Sequence, residues 1–200
     1  NGGEPDHRGQ GGPLEVEDYR TILDLTHAFV EAGQQAGHAK SSDLNGSVPE
    51  GVGYSQMTRK GRFRGSTART FLSRAKKRRS VRIETEALVT GLIFENKKCI
   101  GVKFTQKGKQ HEIFAGKEIV LSGGAVNSPH ILQVSGIGPQ KHLQSIGVKI
   151  VHDLPGVGQN LQDHYVSRIS HRVKNTVSIN QLSRGIRLLR EIGSWAFQGK

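Results

Sequence analysis

The sequence has little cysteine, few aromatic residues and fewer acidic than basic residues. Its single cysteine, Cys99, excludes an internal disulfide and a cysteine-ligated metal cluster, and no metal site is predicted. No apolar run reaches the length of about 18 residues that a membrane-spanning helix needs. There are 17 acidic residues against 29 lysines and arginines, which gives a formal net charge of +12. This charge permits binding to nucleic acid or to an anionic membrane, but it does not indicate a fold.

The basic residues are concentrated between Arg59 and Arg82, where eleven lysines and arginines occur without an acidic residue. The stretch is compatible with a nucleic-acid-binding module. Only two aromatic residues, Phe63 and Phe71, are interleaved with these charges, and no nucleic-acid-binding motif is present. A solvated basic face is therefore favoured, and no nucleic-acid partner is expected.

The spacing of apolar side chains predicts helices interleaved with strands, which is typical of an α/β fold. The strands at 87–94 and 99–104 flank a short polar turn and are predicted to form a hairpin. Helices are predicted over residues 17–36, 66–75 and 139–146, and from Asn180 or Ser183 onwards. The other predicted strands cover residues 81–85, 111–115, 118–122, 148–151 and 166–173, and a short one is expected within 51–58.

The stretch from Glu118 to Gly138 organises the rest of the chain. A short apolar run, 119–121, is predicted to be a buried strand that ends in small residues, where a ligand or another backbone segment can approach closely. Ser128 and Pro129 then predict the N-cap and first residue of a helix. A strand, a small-residue turn and a helix N-terminus together favour an anion or nucleotide site. Glycines that only allow close packing of helix and strand produce the same pattern, and the spacing is not GxGxxG.

The run from Gly124 to Gly138 resembles the second signature of the glucose–methanol–choline (GMC) flavin oxidoreductases. It reads Gly-Ala-Val-Asn-Ser-Pro-His-Ile-Leu-Gln-Val-Ser-Gly-Ile-Gly. The runs at 61–72 and 153–164 resemble family segments that lie on either side of this signature. Together the resemblance covers roughly residues 11–200.

The resemblance implies part of a Rossmann-like FAD-binding domain of the GMC type, with parts of an α+β substrate domain. Residues 1–63 are expected to be a substrate-domain segment and 64–165 the central part of the FAD-binding domain. Residues 166–200 are expected to begin the substrate-domain sheet and helix. Because the chain begins at Asn1 rather than methionine and ends inside a helical pattern, we expect it to be the middle of a longer enzyme.

The resemblance also implies that FAD is the cofactor and indicates which residues bind it. Val89 is expected to bind adenine through its backbone N–H and C=O. An ordinary core valine is the alternative at this position, and the match of the flanking residues favours the FAD role. Ser122, Gly123, Gly124 and Ala125 are the other residues expected to bind FAD.

The implied reaction is oxidation of an alcohol to an aldehyde, with hydride transfer to the flavin. The GxGxxG segment and the catalytic histidine of the family lie outside this chain, so no catalytic residue is predicted in it. Residues 1–200 alone are expected to be poorly stable, to bind FAD weakly or not at all, and to be inactive.

Two residues are expected to face the substrate, His164 and Val166. His164 follows Asp163, and this pair either faces the substrate cavity or fixes the turn between domains. Choline-oxidising relatives carry glutamate at the position of Val166. Its absence favours a neutral primary alcohol, with choline as the alternative. A quinone or other acceptor is expected to take the electrons, and the location is expected to be cytoplasmic or peripheral to the inner membrane.

Overall fold

A computed structural model describes residues 4–198, and the chain divides into two compact units. One unit contains the residues up to Arg82 together with those from Ile169 onwards, and the other is Ile83–Arg168. Both units contain helices, and the strands are grouped into small sheets, so the mixed α/β class predicted from the sequence is confirmed. How these units correspond to the predicted domain segments stays a prediction.

The first unit contains a three-stranded antiparallel sheet in the order β1-β2-β3, together with several helices. The predicted helix at 17–36 begins only at Asp24, because Val16 and Glu17 pair with Thr58 and Met57 instead. The bounds are β1 Val16–Glu17, α1 Asp24–Gln35, β2 Met57–Lys60, β3 Phe63–Arg64, a π-helical segment Ala68–Leu72 that continues as α2 Ser73–Ala75, α5 Ile179–Leu182 and α6 Gly185–Gln198, after a 3-10 turn at Pro5–His7.

Asp43 is one of the buried polar residues of this first unit. Its carboxylate accepts hydrogen bonds from the backbone N–H groups of Glu4 and Asn45, each at 2.9 Å. The Arg8 guanidinium donates to both carboxylate oxygens, at 2.6 and 2.7 Å. The two backbone donors and then the charge of Arg8 lower the pKa of Asp43 below its ordinary value of 3.8. The ionised carboxylate thus ties the first residues of the described chain to the loop around Asn45.

The second unit is built on an antiparallel sheet in the order β4-β5-β6. The predicted hairpin is confirmed, since β4 and β5 pair from end to end across a two-residue loop that begins with Asn96 at φ 54°. Lys107 and Gly108 also have positive φ, 50° and 74°, in the turn between β5 and β6. The remaining bounds are β4 Ala87–Glu95, β5 Lys98–Gln106, β6 Lys109–Phe114, α3 Gly124–Val134, β7 Ile137–Gly138, α4 Gln140–Ser145 and β8 His152–Asp153.

Three predicted strands, at 81–85, 118–122 and 166–173, are absent from the described structure. A strand is stable only when its backbone groups are paired, and none of these runs has a partner strand in residues 4–198. Val120, in the run predicted to be buried, is 76% exposed. The strand predicted at 148–151 is displaced to β8, which pairs in parallel with β7. The strand expected within 51–58 begins at Met57.

Leu143, on α4, is completely buried, and a Cβ at Gly138 of β7 would lie 3.6 Å from its side chain. Asp153 accepts a hydrogen bond at 2.9 Å from the backbone N–H of Gln140 and so caps α4. Val157, in the loop after β8, is also buried. None of the helices formed by residues 4–198 is both long enough and apolar enough to cross a membrane.

Candidate functional site

The candidate site begins at the first turn of α3. The prediction that Ser128 caps this helix and Pro129 opens it is wrong, because α3 starts at Gly124 and contains Pro129 as its sixth residue. Gly124 has φ +86°, a left-handed conformation that glycine adopts without the strain of a side chain. This turn brings the chain into the helix before Ser128. The missing N–H of Pro129 also leaves the Ala125 carbonyl without its usual donor four residues later.

The turn that precedes α3 is open to close approach by a ligand. Ser122, Gly123, Gly124 and Ala125 are all exposed. A Cβ at Gly123 would lie 3.2 Å from the backbone N of Ser128, so this glycine lets the turn fold tightly, whereas a Cβ at Gly124 would meet nothing within 4 Å. The first N–H groups of a helix lack intrahelical partners and carry partial positive charge. These features fit the phosphate or ribose part of a dinucleotide such as FAD.

A groove of about 530 Å³ runs between α3 and the loop that follows β8. Ala125 is the one predicted cofactor-binding residue that lines it. The helix side also carries Val126, Pro129, His130 and Gln133, and the loop side is Gly158–Gln162. Neither this loop wall nor Gln133 is among the residues predicted from the sequence. The glycines at 156 and 158 and Asn160 were the features of the sequence that could have indicated this loop. Gly158 and Asn160 have φ +78° and 55°, a left-handed conformation that glycine and asparagine adopt more readily than other residues.

Val89 lies on β4, the edge strand of the described sheet, and its backbone direction follows from the strand register. The Ala115 N–H donates to the Ile100 carbonyl at 2.9 Å, so Ile100, and alternate residues after it on β5, direct their backbone groups toward β6. Phe104 belongs to this set, and Val89 is its partner on β4. The N–H and C=O of Val89 therefore point away from β5, toward the open edge of β4.

The same edge of β4 faces α3. Leu92 pairs with Val102, another member of the set directed toward β6, so its N–H also points away from β5. That N–H donates to the Ser135 hydroxyl at 2.8 Å, and the hydroxyl donates to the Ile131 carbonyl at 2.5 Å. The β-bulge between Val89 and Gly91 adds one residue to β4, and the N–H groups of Val89 and Leu92 both still point away from β5. The structure thus brings the helix of the second signature to the edge on which Val89 presents its backbone.

The two residues predicted to face the substrate lie in an exposed segment without regular structure. The His164 backbone N–H donates to the carboxylate of the adjacent Asp163 at 2.8 Å. Val166 is 68% exposed. Neither residue lines the groove beside α3.

Several side chains of the basic stretch have intramolecular roles. Arg59 is buried, and its Nε donates to the Gly61 carbonyl at 2.5 Å. The Arg69 guanidinium lies 4.0 Å above the Phe63 ring, a cation–π contact. The Arg62 side chain donates to the Ala196 carbonyl. These contacts support the interpretation of the stretch as part of a folded surface.

Residues 7–166 match the model of the GMC oxidoreductase family. The chain belongs to this family. It is 40% identical over 200 residues to oxygen-dependent choline dehydrogenase from Chromohalobacter salexigens, covering 98% of this chain and 36% of that protein. It is 40% identical over 181 residues to the mitochondrial choline dehydrogenase of Homo sapiens, covering 90% of this chain and 30% of that protein. The chain therefore spans about a third of the length of these relatives.

The fold of this GMC chain is also similar to that of a solved structure. An FAD-dependent oxidoreductase from Chaetomium thermophilum is 30% identical and superposes with a TM-score of 0.75. The match covers 80% of this chain and 28% of that one. The comparisons give no support to the nucleic-acid-binding alternative.

Proposed function

We propose that this GMC chain is part of an FAD-dependent oxidoreductase that oxidises an alcohol to an aldehyde. The observation that carries the proposal is the open turn at Ser122–Ala125, beside a groove and at the start of the helix that carries the family signature. The family match over residues 7–166 supports the same activity. The chain spans about a third of its relatives, so the activity belongs to the whole enzyme.

The residues of this chain bind and orient the cofactor in the proposed enzyme. The exposed backbone of Gly123, Gly124 and Ala125 lets a dinucleotide approach the positive end of α3. The outward N–H and C=O of Val89 supply one donor and one acceptor, the pair that an adenine edge requires. Ser122 adds a hydroxyl at the same turn. Bound FAD accepts a hydride from the alcohol, and we assign no catalytic residue to this chain.

The proposed substrate is a neutral primary alcohol, with choline as the alternative. The proposal depends on Val166, which offers no charge to the trimethylammonium group of choline. Choline is favoured by two relatives that are choline dehydrogenases and are each 40% identical to this chain. Comparing choline with neutral alcohols on the full-length enzyme separates the two candidates.

We also propose a quinone as the electron acceptor. This acceptor suits a location in the cytoplasm or at the periphery of the inner membrane. The relative from Chromohalobacter salexigens is an oxygen-dependent choline dehydrogenase, so oxygen is the acceptor against which a quinone is tested. Aldehyde formation under nitrogen with and without a soluble quinone distinguishes them.

Cofactor binding at the groove is tested with two tryptophan substitutions on the same helix. In the full-length protein, Ala125→Trp fills the groove beside the turn, whereas Val134→Trp changes an exposed residue at the other end of α3. We expect A125W to weaken FAD binding by at least about tenfold, the effect of losing roughly one hydrogen-bonded contact. V134W should bind FAD as the wild type does. Equal FAD affinity in both variants would remove the groove from the proposed site.

A further inference from the structure

Gln133 joins α3 to the loop that follows β8. Its side-chain Nε2 donates to the Val157 carbonyl at 3.1 Å. The next residue, Gly158, has φ +78°, and a Cβ built on it would lie 2.6 Å from the same Nε2 atom. The Gln133 amide therefore occupies space that only glycine leaves free, and the loop passes directly over it.

The stem of Gln133 is held from a second side. A Cβ at Gly138 would lie 3.0 Å from Gln133 Cγ, so β7 packs closely against this side chain. The Gly138 carbonyl accepts a hydrogen bond at 3.0 Å from the Leu154 N–H at the start of the same loop. Gln133 is thus confined between a strand and a loop, and the loop is fixed at both Leu154 and Val157.

The loop residues that follow this attachment form one wall of the groove. Gly158–Gln162 lie on one side and the exposed face of α3 on the other, with Gln133 at the junction between them. We infer that Gln133 is a positioning residue that holds the Gly158–Gln162 wall at the distance from α3 that FAD requires. This inference rests on the proposed function, because it assigns the groove to the cofactor.

Two substitutions remove the donor while preserving the length of the side chain. Gln133→Met supplies no donor to the Val157 carbonyl. Gln133→Glu places a carboxylate oxygen against that carbonyl oxygen, which is repulsive at neutral pH. Each variant is expected to lose about tenfold in FAD affinity, because one hydrogen bond to the carbonyl of the buried Val157 is lost. The control is Gln144→Glu, which makes the same chemical change on the exposed surface of α4.

The pH dependence provides a readout that general destabilisation would not produce. Protonation of the carboxyl introduced by Q133E restores an O–H donor toward Val157. The FAD affinity of Q133E relative to the wild type should therefore recover as the pH falls, whereas that of Q133M should not change with pH.

The experiment titrates the full-length apoprotein with FAD and follows the flavin fluorescence, for the wild type and the three variants at neutral and mildly acidic pH. The melting temperature of each protein is measured alongside. If the wild type does not bind FAD, the proposed function fails, whatever Gln133 does. If the wild type binds and both Gln133 variants lose affinity while Q144E does not, with pH recovery in Q133E alone, the inference holds. If the wild type binds and the Gln133 variants match it, or melt earlier with unchanged affinity, Gln133 does not position the wall and the inference is overturned.

Discussion

Two glycines that follow helices in the second unit form a matched pair for a stability test. Gly136 follows α3 with φ +88°, and Gly147 follows α4 with φ +71°. Both accept the left-handed conformation that commonly ends a helix, so an alanine at either position is strained in the same way. Their surroundings differ. A Cβ at Gly136 would lie 2.3 Å from the Lys149 carbonyl oxygen, whereas a Cβ at Gly147 meets nothing within 4 Å.

The expected costs follow from this difference. Gly147→Ala should lower the free energy of unfolding by about 1 kcal/mol, the cost of a left-handed alanine. Gly136→Ala carries the same cost and also pushes away the backbone at Lys149. The Gly136 carbonyl accepts hydrogen bonds from Val151 and His152, at 2.8 and 3.1 Å, and this displacement weakens both. With roughly 1 kcal/mol for each bond, G136A should cost about 3 kcal/mol.

Urea unfolding of the full-length protein, followed by circular dichroism, measures both variants against the wild type. We expect a midpoint shift for G136A about three times that for G147A, with unchanged slopes. Equal shifts would mean that the close approach of the Lys149 carbonyl to Gly136 imposes no constraint on the fold.

Three further predictions concern other parts of the chain. Leu143→Ala removes a completely buried side chain and should lower the free energy of unfolding by about 2–5 kcal/mol, measured by the same urea method. Because the folded-state pKa of Asp43 is below 3.8, its contribution to stability is complete above that pH and is lost as the pH falls through the lowered value. An acid titration of melting temperature should therefore fall more steeply for the wild type than for Asp43→Asn, and parallel curves would contradict this. Val166→Glu should raise kcat/KM for choline relative to a neutral alcohol by about tenfold through one added charge pair, and an unchanged ratio would remove Val166 from the substrate site.

Local features of the second unit could be predicted from the sequence because they depend on neighbouring residues. The β4–β5 hairpin follows from two apolar runs around a turn with Asn96, and α4 follows from the pattern after Pro139. The start of α3 could not be located in this way. Pro129 is tolerated inside this helix, and the two glycines before it permit an earlier turn that leaves no distinctive apolar pattern.

Pairing between distant segments could not be predicted. The run at 119–121 is apolar enough for a buried strand, but it has no partner strand among the described residues. The open edge at Val89 depends on which backbone groups of β5 form hydrogen bonds with β4 and which form them with β6. The identities of the side chains do not reveal this. The groove wall at Gly158–Gln162 likewise depends on Gln133, whose chemical role is set by a carbonyl 24 residues away.

Binding of FAD and its reduction by an alcohol can be measured together in the visible absorption spectrum of the purified full-length protein, recorded without oxygen before and after adding alcohols that include choline. We expect oxidised flavin bands that a neutral primary alcohol bleaches more readily than choline does. A colourless protein that added FAD does not reconstitute would contradict the proposed cofactor and the reaction together.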